Sequence, residues 1–379
     1  MSAYSEALPS RPTTAQRPQR RRRWLLALII TTTAAATAAC SPSDPQPPQP
    51  PTNPGSPDRD AAPDSPNIDA AAPQADAAPA TAAWVLVWSD EFLGDTIDTS
   101  KWSHEVNCWG GGNNEQQCYT DRPENSFVRD GVLHIHAQRE DFTGPSESED
   151  SPNYDPGDTR TLPYTSARLR TRGQGDFTYA RVEVRAKLPA GQGTWPAIWM
   201  LPTDYTYGVW AASGEIDIME AVNLKAASDA PGAPAGALER RVHGTLHYGE
   251  AWPGNSYSGS EYQLPDDANP ADDFHVYELE WERGEIRWYV DGTLYATQTQ
   301  DDWYTRYRAP DGSFVTGPDD APFNQRFHLL LNLAVGGDWA ANVNETGVDE
   351  AAFPAQLLID YVRVYECSAD PITGAGCTK

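Results

Sequence analysis

The chain has 379 residues and carries 28 Lys and Arg against 54 Asp and Glu, a formal net charge of −26 at pH 7. A surface this acidic repels nucleic acid and sulfated or uronate polymers, although solubility alone is a sufficient reason for the acidity of an exported protein. Removing residues 1–39, which hold six Arg and one Glu, leaves the remainder more acidic still.

Five arginines lie between Arg17 and Arg23, followed by the apolar run from Trp24 to Ile30 and then by small residues as far as Cys40. This is the charged, apolar, small order of an export signal. A membrane-spanning helix needs about 20 strongly apolar residues. Here the run fades into Thr and Ala after Ile30, which argues against an uncleaved anchor. Residues 1–40 therefore read as a signal peptide. Thr37-Ala38-Ala39 before Cys40 resembles a bacterial lipoprotein cleavage site, with Cys40 as the lipidated first residue of a membrane-anchored protein. Ordinary cleavage nearby, leaving a secreted protein with a free thiol, is the alternative. Residues 41–83 are Pro, Ala, Asp and Ser with almost no large apolar side chain. Such a segment cannot bury enough surface to offset its ordering entropy and reads as a disordered linker.

The other cysteines, Cys108, Cys118, Cys367 and Cys377, are even in number and form two sequence-close pairs. In an exported chain they are expected to bond as Cys108–Cys118 and Cys367–Cys377, each closure contributing roughly 2–3 kcal/mol in the chain-entropy model. Neither pair has the C-x-x-C spacing of a zinc site.

From Trp84 to Glu366 the sequence breaks into short runs of alternating apolar and polar residues separated by Gly, Pro, Asn and Asp, an all-β pattern. Val132–His136, Ala180–Ala186, Phe274–Trp281 and Ile286–Val290 are strands, the last followed by the hairpin signal Asp291-Gly292. Phe327–Val335 is nearly continuous in apolar character, as a strand buried on both faces would be. No segment has a long helical period, and no solenoid or propeller repeat is visible. One large two-sheet sandwich over residues 84–366 is expected, with a disulfide-containing tail at 367–379. Its 13 Trp and 17 Tyr exceed what such a core requires, and surplus aromatics on a β face are suited to stacking on sugar rings.

The segment Glu215-Ile216-Asp217-Ile218-Met219-Glu220 places three carboxylates within six residues of a strand-like run. Alternation puts Glu215 and Asp217 on one face and Glu220 on the other, unless a single β-bulge between Asp217 and Glu220 returns the third acid to the first two. Clustered carboxylates raise one another's pKa, the polarisation by which one attacks while another donates a proton. Solvated acids on an edge strand are the alternative, and the apolar Ile216, Ile218 and Met219 argue against it.

These acids match E-x-D-x-x-E, and the chain resembles glycoside hydrolase family 16, laminarinase-like endo-β-1,3-glucanases. Trp88–Phe92, Gly112–Gln117, Tyr164–Arg168, Gly193–Leu201, Gly244–Tyr248, Leu331–Gly337 and Asp360–Tyr365 follow the family order across residues 84–366. The resemblance implies a curved β-jelly-roll, concanavalin A-like, with a cleft across its concave face. It implies retaining hydrolysis of β-1,3 or mixed β-1,3/1,4 glucan without a catalytic cofactor, Glu215 being the nucleophile, Glu220 the acid/base and Asp217 the residue that holds Glu215. On chemistry alone the two glutamate roles could be exchanged. Trp195 and Trp199 alternate onto one face and can stack on sugars. His247 lies in the matching Gly-Thr-Leu-His segment, and His243 reads as structural. Asn113, Asn114 and Glu115 form a loop able to read hydroxyls, with Arg168 a further contact and Arg170 and Arg172 solvated. The family also implies a structural calcium held by Glu91, Gly131 and Asp360 away from the cleft, an oxygen-only ligand set that suits this ion. The expected partner is a β-glucan, with no nucleic acid, membrane contact only through the lipid anchor, and a monomeric protein. The alternatives are a family 16 enzyme for agarose, porphyran or carrageenan, or a glucan-binding module that has lost catalysis.

Overall fold

The computed structural model describes residues 82–377; the expected signal peptide, Cys40 and nearly all of the expected linker lie outside the described residues. Two sheets face each other. The outer one has ten strands, in the order Thr293–Thr299, Glu285–Val290, His275–Glu282, Arg181–Lys187, Ala355–Cys367, Val132–Pro145, Thr159–Ser166 and Gln117–Tyr119, with Trp84–Asp90 paired to Ala355–Cys367 and Ser126–Arg129 to Val132–Pro145. The other has eight, in the order Asn255–Gln263, Arg241–Gly249, Glu215–Glu220, Thr194–Pro202, Phe327–Val335, Arg168–Arg170 and Ser103–His104, with Asp176–Phe177 also on Phe327–Val335. This is the curved jelly-roll sandwich expected, and the longest α-helix among the described residues is the four-residue turn Gly337–Ala340.

Alternation in the sequence builds the core. Along Arg181–Lys187, Val182, Val184 and Ala186 are buried while the charged residues between them face out. Ile198, Met200, Ile216, Ile218, Leu246, Leu329 and Leu331 join the core from the eight-stranded sheet, along with Leu133, Ile135, Leu279, Trp281 and Trp288 from the ten-stranded one. All nine residues of Phe327–Val335 are buried, as its unbroken apolar run foretells. Asp291 and Gly292, both at positive φ, turn the chain between Glu285–Val290 and Thr293–Thr299 as a tight hairpin requires. The strand expected at Val132–His136 runs on to Pro145, because its outer half alternates among polar residues that carry little apolar signal.

Two contacts fix the layers under the carboxylate strand. The Trp288 indole N–H, from the opposite sheet, donates to the Asp217 carbonyl at 2.8 Å. On the next strand, a Cβ at Gly244 would lie 2.5 Å from both Trp288 Cδ1 and Tyr295 Oη, so only glycine lets the sheets approach here. Both expected disulfides, Cys108–Cys118 and Cys367–Cys377, are formed.

Candidate active site

The bulge is present. Thr194–Pro202 pairs Ala197 with Glu220, Ile198 with Met219 and Trp199 with Asp217, so Ile218 has no opposite number. On the other side Asp217 pairs with Thr245 and Glu220 with His243, which sets Ile218 and Met219 against the single Gly244. The extra residue restores Glu220 to the face of Glu215 and Asp217, while Ile216 and Ile218 point into the core.

Each acid has a different partner. The Trp210 indole donates to Glu215 Oε2 at 2.9 Å, and the Trp195 indole to Glu220 Oε1 at 2.8 Å. His247 Nε2 lies 3.5 Å from Glu215 Oε1 and 3.3 Å from Asp217 Oδ2. Burial and the charge of Asp217 raise Glu215 to about 7, against the opposing pull of His247 and the Trp210 N–H. Burial, then Asp217 and Glu215, push Glu220 well above the usual carboxylate range. Burial alone would depress His247; the carboxylates of Glu215, Asp217 and Glu220 outweigh it and hold the imidazolium up to about 10. Both glutamates are thus held above the usual carboxylate range, Glu220 the more strongly, and the His247 cation stands beside Glu215. Such a set can deliver a carboxylate and a proton to opposite ends of one bond.

Around these acids, Trp195 and Trp199 are half-buried rather than in the core. Trp199 donates to Asn332 Oδ1 at 2.7 Å, and Trp195 meets Trp339 edge to face with centroids 5.3 Å apart. His243, read as structural, packs on Trp339 at 5.0 Å and lines, with Arg241, Asp229, Val222 and Val343, a hollow of about 250 Å³. Asn113 and Asn114 are exposed on the loop braced by Cys108–Cys118, and Asn114 Nδ2 reaches both Asp338 carboxylate oxygens at 3.0 Å.

Two of the residues expected to touch sugar are turned inward. Glu115 is 5% exposed and accepts from Gln117 Nε2 at 2.7 Å and Tyr119 Oη at 3.2 Å, which makes it a brace of the loop. Arg168 is buried with Glu105 at 3.4 Å and lies over the Tyr119 and Trp199 rings, so it supports Trp199 from the side. Nor is Arg170 solvated; it is paired with Glu105 and Asp150. Sequence reasoning gave no role to Trp210, Trp339 or Asn332. The signal available was the aromatic surplus, which does not say which ring turns to which acid.

Strand pairing brings the expected calcium residues to neighbouring positions, since Asp90 pairs with Val362 beside Glu91, and Leu133 with Ile359 beside Asp360. In the structure Arg363 donates to both Glu91 oxygens, at 2.9 and 2.7 Å, and Asp360 is paired with Arg185. Both carboxylates are about one-third exposed (34% and 35%). Surface ion pairs of this kind contribute about 0–1 kcal/mol, and carboxylate and carbonyl oxygens are the ligand type that calcium takes.

Three acids gathered on one face of a β-jelly-roll, beside half-buried tryptophans, are the arrangement of a glycoside hydrolase. The model of glycosyl hydrolases family 16 matches residues 113–349, and the chain belongs to that family. It is 41% identical over 296 residues to glucan endo-1,3-beta-glucosidase A1 of Niallia circulans, covering 76% of this chain but only 39% of that protein. It is 43% identical over 292 residues to the beta-glucanase of Rhodothermus marinus, covering 74% of this chain and 85% of that one. The X-ray structure of the laminarinase from Rhodothermus marinus is similar with a TM-score of 0.57 at 40% identity, over 76% of this chain and 98% of that one.

Proposed function

We propose that the chain is a retaining endo-glycosidase that hydrolyses β-1,3 glucan of the laminarin type, or mixed β-1,3/1,4 glucan. The observation that carries this reading is the bulge, which brings Glu215 and Glu220 to one face with Glu215 the readier to ionise. Glu215 attacks the anomeric carbon as the glycosidic C–O bond breaks, and the leaving oxygen takes the Glu220 proton. Glu220, now a base, removes a proton from water, which attacks the same carbon and releases Glu215. Asp217 and the His247 imidazolium steady Glu215 on its strand, and the exchange of roles left open by chemistry alone is disfavoured by this asymmetry. The activities of the Niallia and Rhodothermus proteins, as named, support glucan as the polymer.

The two disulfides fit an oxidising, extracytoplasmic compartment. Within this proposal, residues 1–40 direct export, Cys40 carries the lipid, and residues 41–83 separate anchor from catalyst. Glu91, Gly131 and Asp360 hold a calcium ion that ties together strands from both ends of the domain and takes no part in the chemistry.

The test is release of reducing ends and product lengths from laminarin, lichenan, agarose and carrageenan, with the first-formed anomer followed by NMR. Glu215→Gln and Glu220→Gln should each nearly abolish glucan hydrolysis. With an activated aryl glycoside Glu220→Gln should lose far less, because a good leaving group needs little acid assistance. Cleavage of agarose or carrageenan instead of glucan would reassign the substrate, and rescue of Glu215→Gln would reverse the roles.

A further inference from the structure

Three donor atoms converge at the Glu215 end of the cleft. His247 Nε2 stands 3.5 Å from Glu215 Oε1 and 3.3 Å from Asp217 Oδ2, and one donor atom from each residue fits within 4.8 Å of the others. The edge of a tetrahedron with metal–ligand bonds of about 2.1 Å is roughly 3.4 Å, so the imidazole already stands at ligand spacing from both carboxylates. Separate contacts set these donors in advance. Trp210 holds Glu215 Oε2 at 2.9 Å and leaves Oε1 to the imidazole, and strand pairing sets Glu215 directly opposite His247. Asp217 is 2% exposed, and apart from that imidazole its Oδ2 has no partner among the described residues. Glu215 and His247 keep 14% and 23% of their side-chain surface open to the cleft, which leaves room for a fourth ligand.

We propose that His247, Glu215 and Asp217 form a site for one divalent transition cation of the Zn²⁺ type, and that its occupation blocks hydrolysis. One imidazole with two carboxylates and an open position is a zinc-type donor set, whereas calcium and magnesium prefer oxygen throughout. The ion displaces the proton that the carboxylates hold on His247 Nε2, since a metal takes the neutral imidazole, so binding releases that proton and strengthens as pH rises. The bound ion then takes the Glu215 oxygen that must attack the sugar. Inhibition is then competitive with substrate and reversed by a chelator.

Calorimetric titration of the full chain with ZnCl₂ should show one site per chain that Mg²⁺ does not fill. His247→Gln and Asp217→Asn should each weaken Zn²⁺ binding about tenfold or more, since even the loss of an outer partner of a metal ligand costs about 10–100-fold. Glu220→Gln should bind as the wild type does. Co²⁺ added to the wild-type protein should give the strong visible absorption of a four-coordinate nitrogen–oxygen site, which reads the geometry without relying on any variant to fold. No stoichiometric Zn²⁺ binding, or binding undiminished in His247→Gln, overturns the proposal. These binding measurements do not need the polysaccharide assignment to be right; failure on every glucan would overturn that assignment alone.

Discussion

The two indole N–H groups that hold the glutamates make opposite predictions for the pH profile. Trp210→Phe removes the 2.9 Å donor to Glu215, and Trp195→Phe removes the 2.8 Å donor to Glu220. A hydrogen bond to a charged group contributes roughly 1.5–3 kcal/mol, and one pKa unit is about 1.4 kcal/mol, so each substitution should raise its carboxyl by about one to two units. Each N–H favours the ionised form, so losing it raises the pKa in both cases. Glu215 must be ionised to attack; its rise from about 7 should move the acidic limb of kcat/KM upward and cost activity chiefly on the acid side. Glu220 must be protonated, so its rise should move the alkaline limb upward and widen the profile. The limbs report the coupled pair, and the direction in which each moves is the diagnostic. The assay is kcat/KM on a soluble glucan from pH 4 to 10, with melting curves to confirm folding. An alkaline shift of only the basic limb in Trp210→Phe would refute the assignment of Glu215 as nucleophile, and unmoved limbs in both variants would refute the role given to the indoles.

Replacing Cys108 and Cys118 together by Ser should lower stability by roughly 2–3 kcal/mol in the chain-entropy model. It should also raise KM more than it lowers kcat, because the loop carrying Asn113 and Asn114 is freed; an unchanged KM would separate that loop from the substrate. Calcium at a hundredfold excess over its dissociation constant should stabilise the fold by about 2.7 kcal/mol, and chelator should remove that gain without altering the product pattern. A melting curve indifferent to both, on protein first stripped of metal, would remove Glu91, Gly131 and Asp360 as a site. Cys40→Ala should shift the protein from the membrane fraction to the soluble one with kcat unchanged, and continued membrane association would point to the Trp24–Ile30 run instead.

What could be read in the sequence was what local periodicity carries. The Phe327–Val335 strand, the Asp291-Gly292 hairpin and the need for a bulge between Asp217 and Glu220 all follow from alternation and turn chemistry within a few residues. Burial of polar side chains was not legible, because it depends on partners distant in the chain. Glu115 and Arg168 have the composition of sugar contacts, yet Gln117, Tyr119 and Glu105 draw them inward. Trp339 meets Trp195 only once the two ends of neighbouring antiparallel strands are brought together. Trp210 lies close to Glu215 in sequence, but its direction is set by a loop without period.

The Trp288 contact to the Asp217 carbonyl couples the back of the molecule to the front. A bulge disrupts its own ladder, and here a carbonyl within the bulged segment is satisfied by a side chain from the other sheet. The spacing of the acids is thus anchored through the full thickness of the sandwich. A change at Trp288 or Gly244, both of which face the opposite sheet rather than the acids, would therefore be felt as a defect in catalysis.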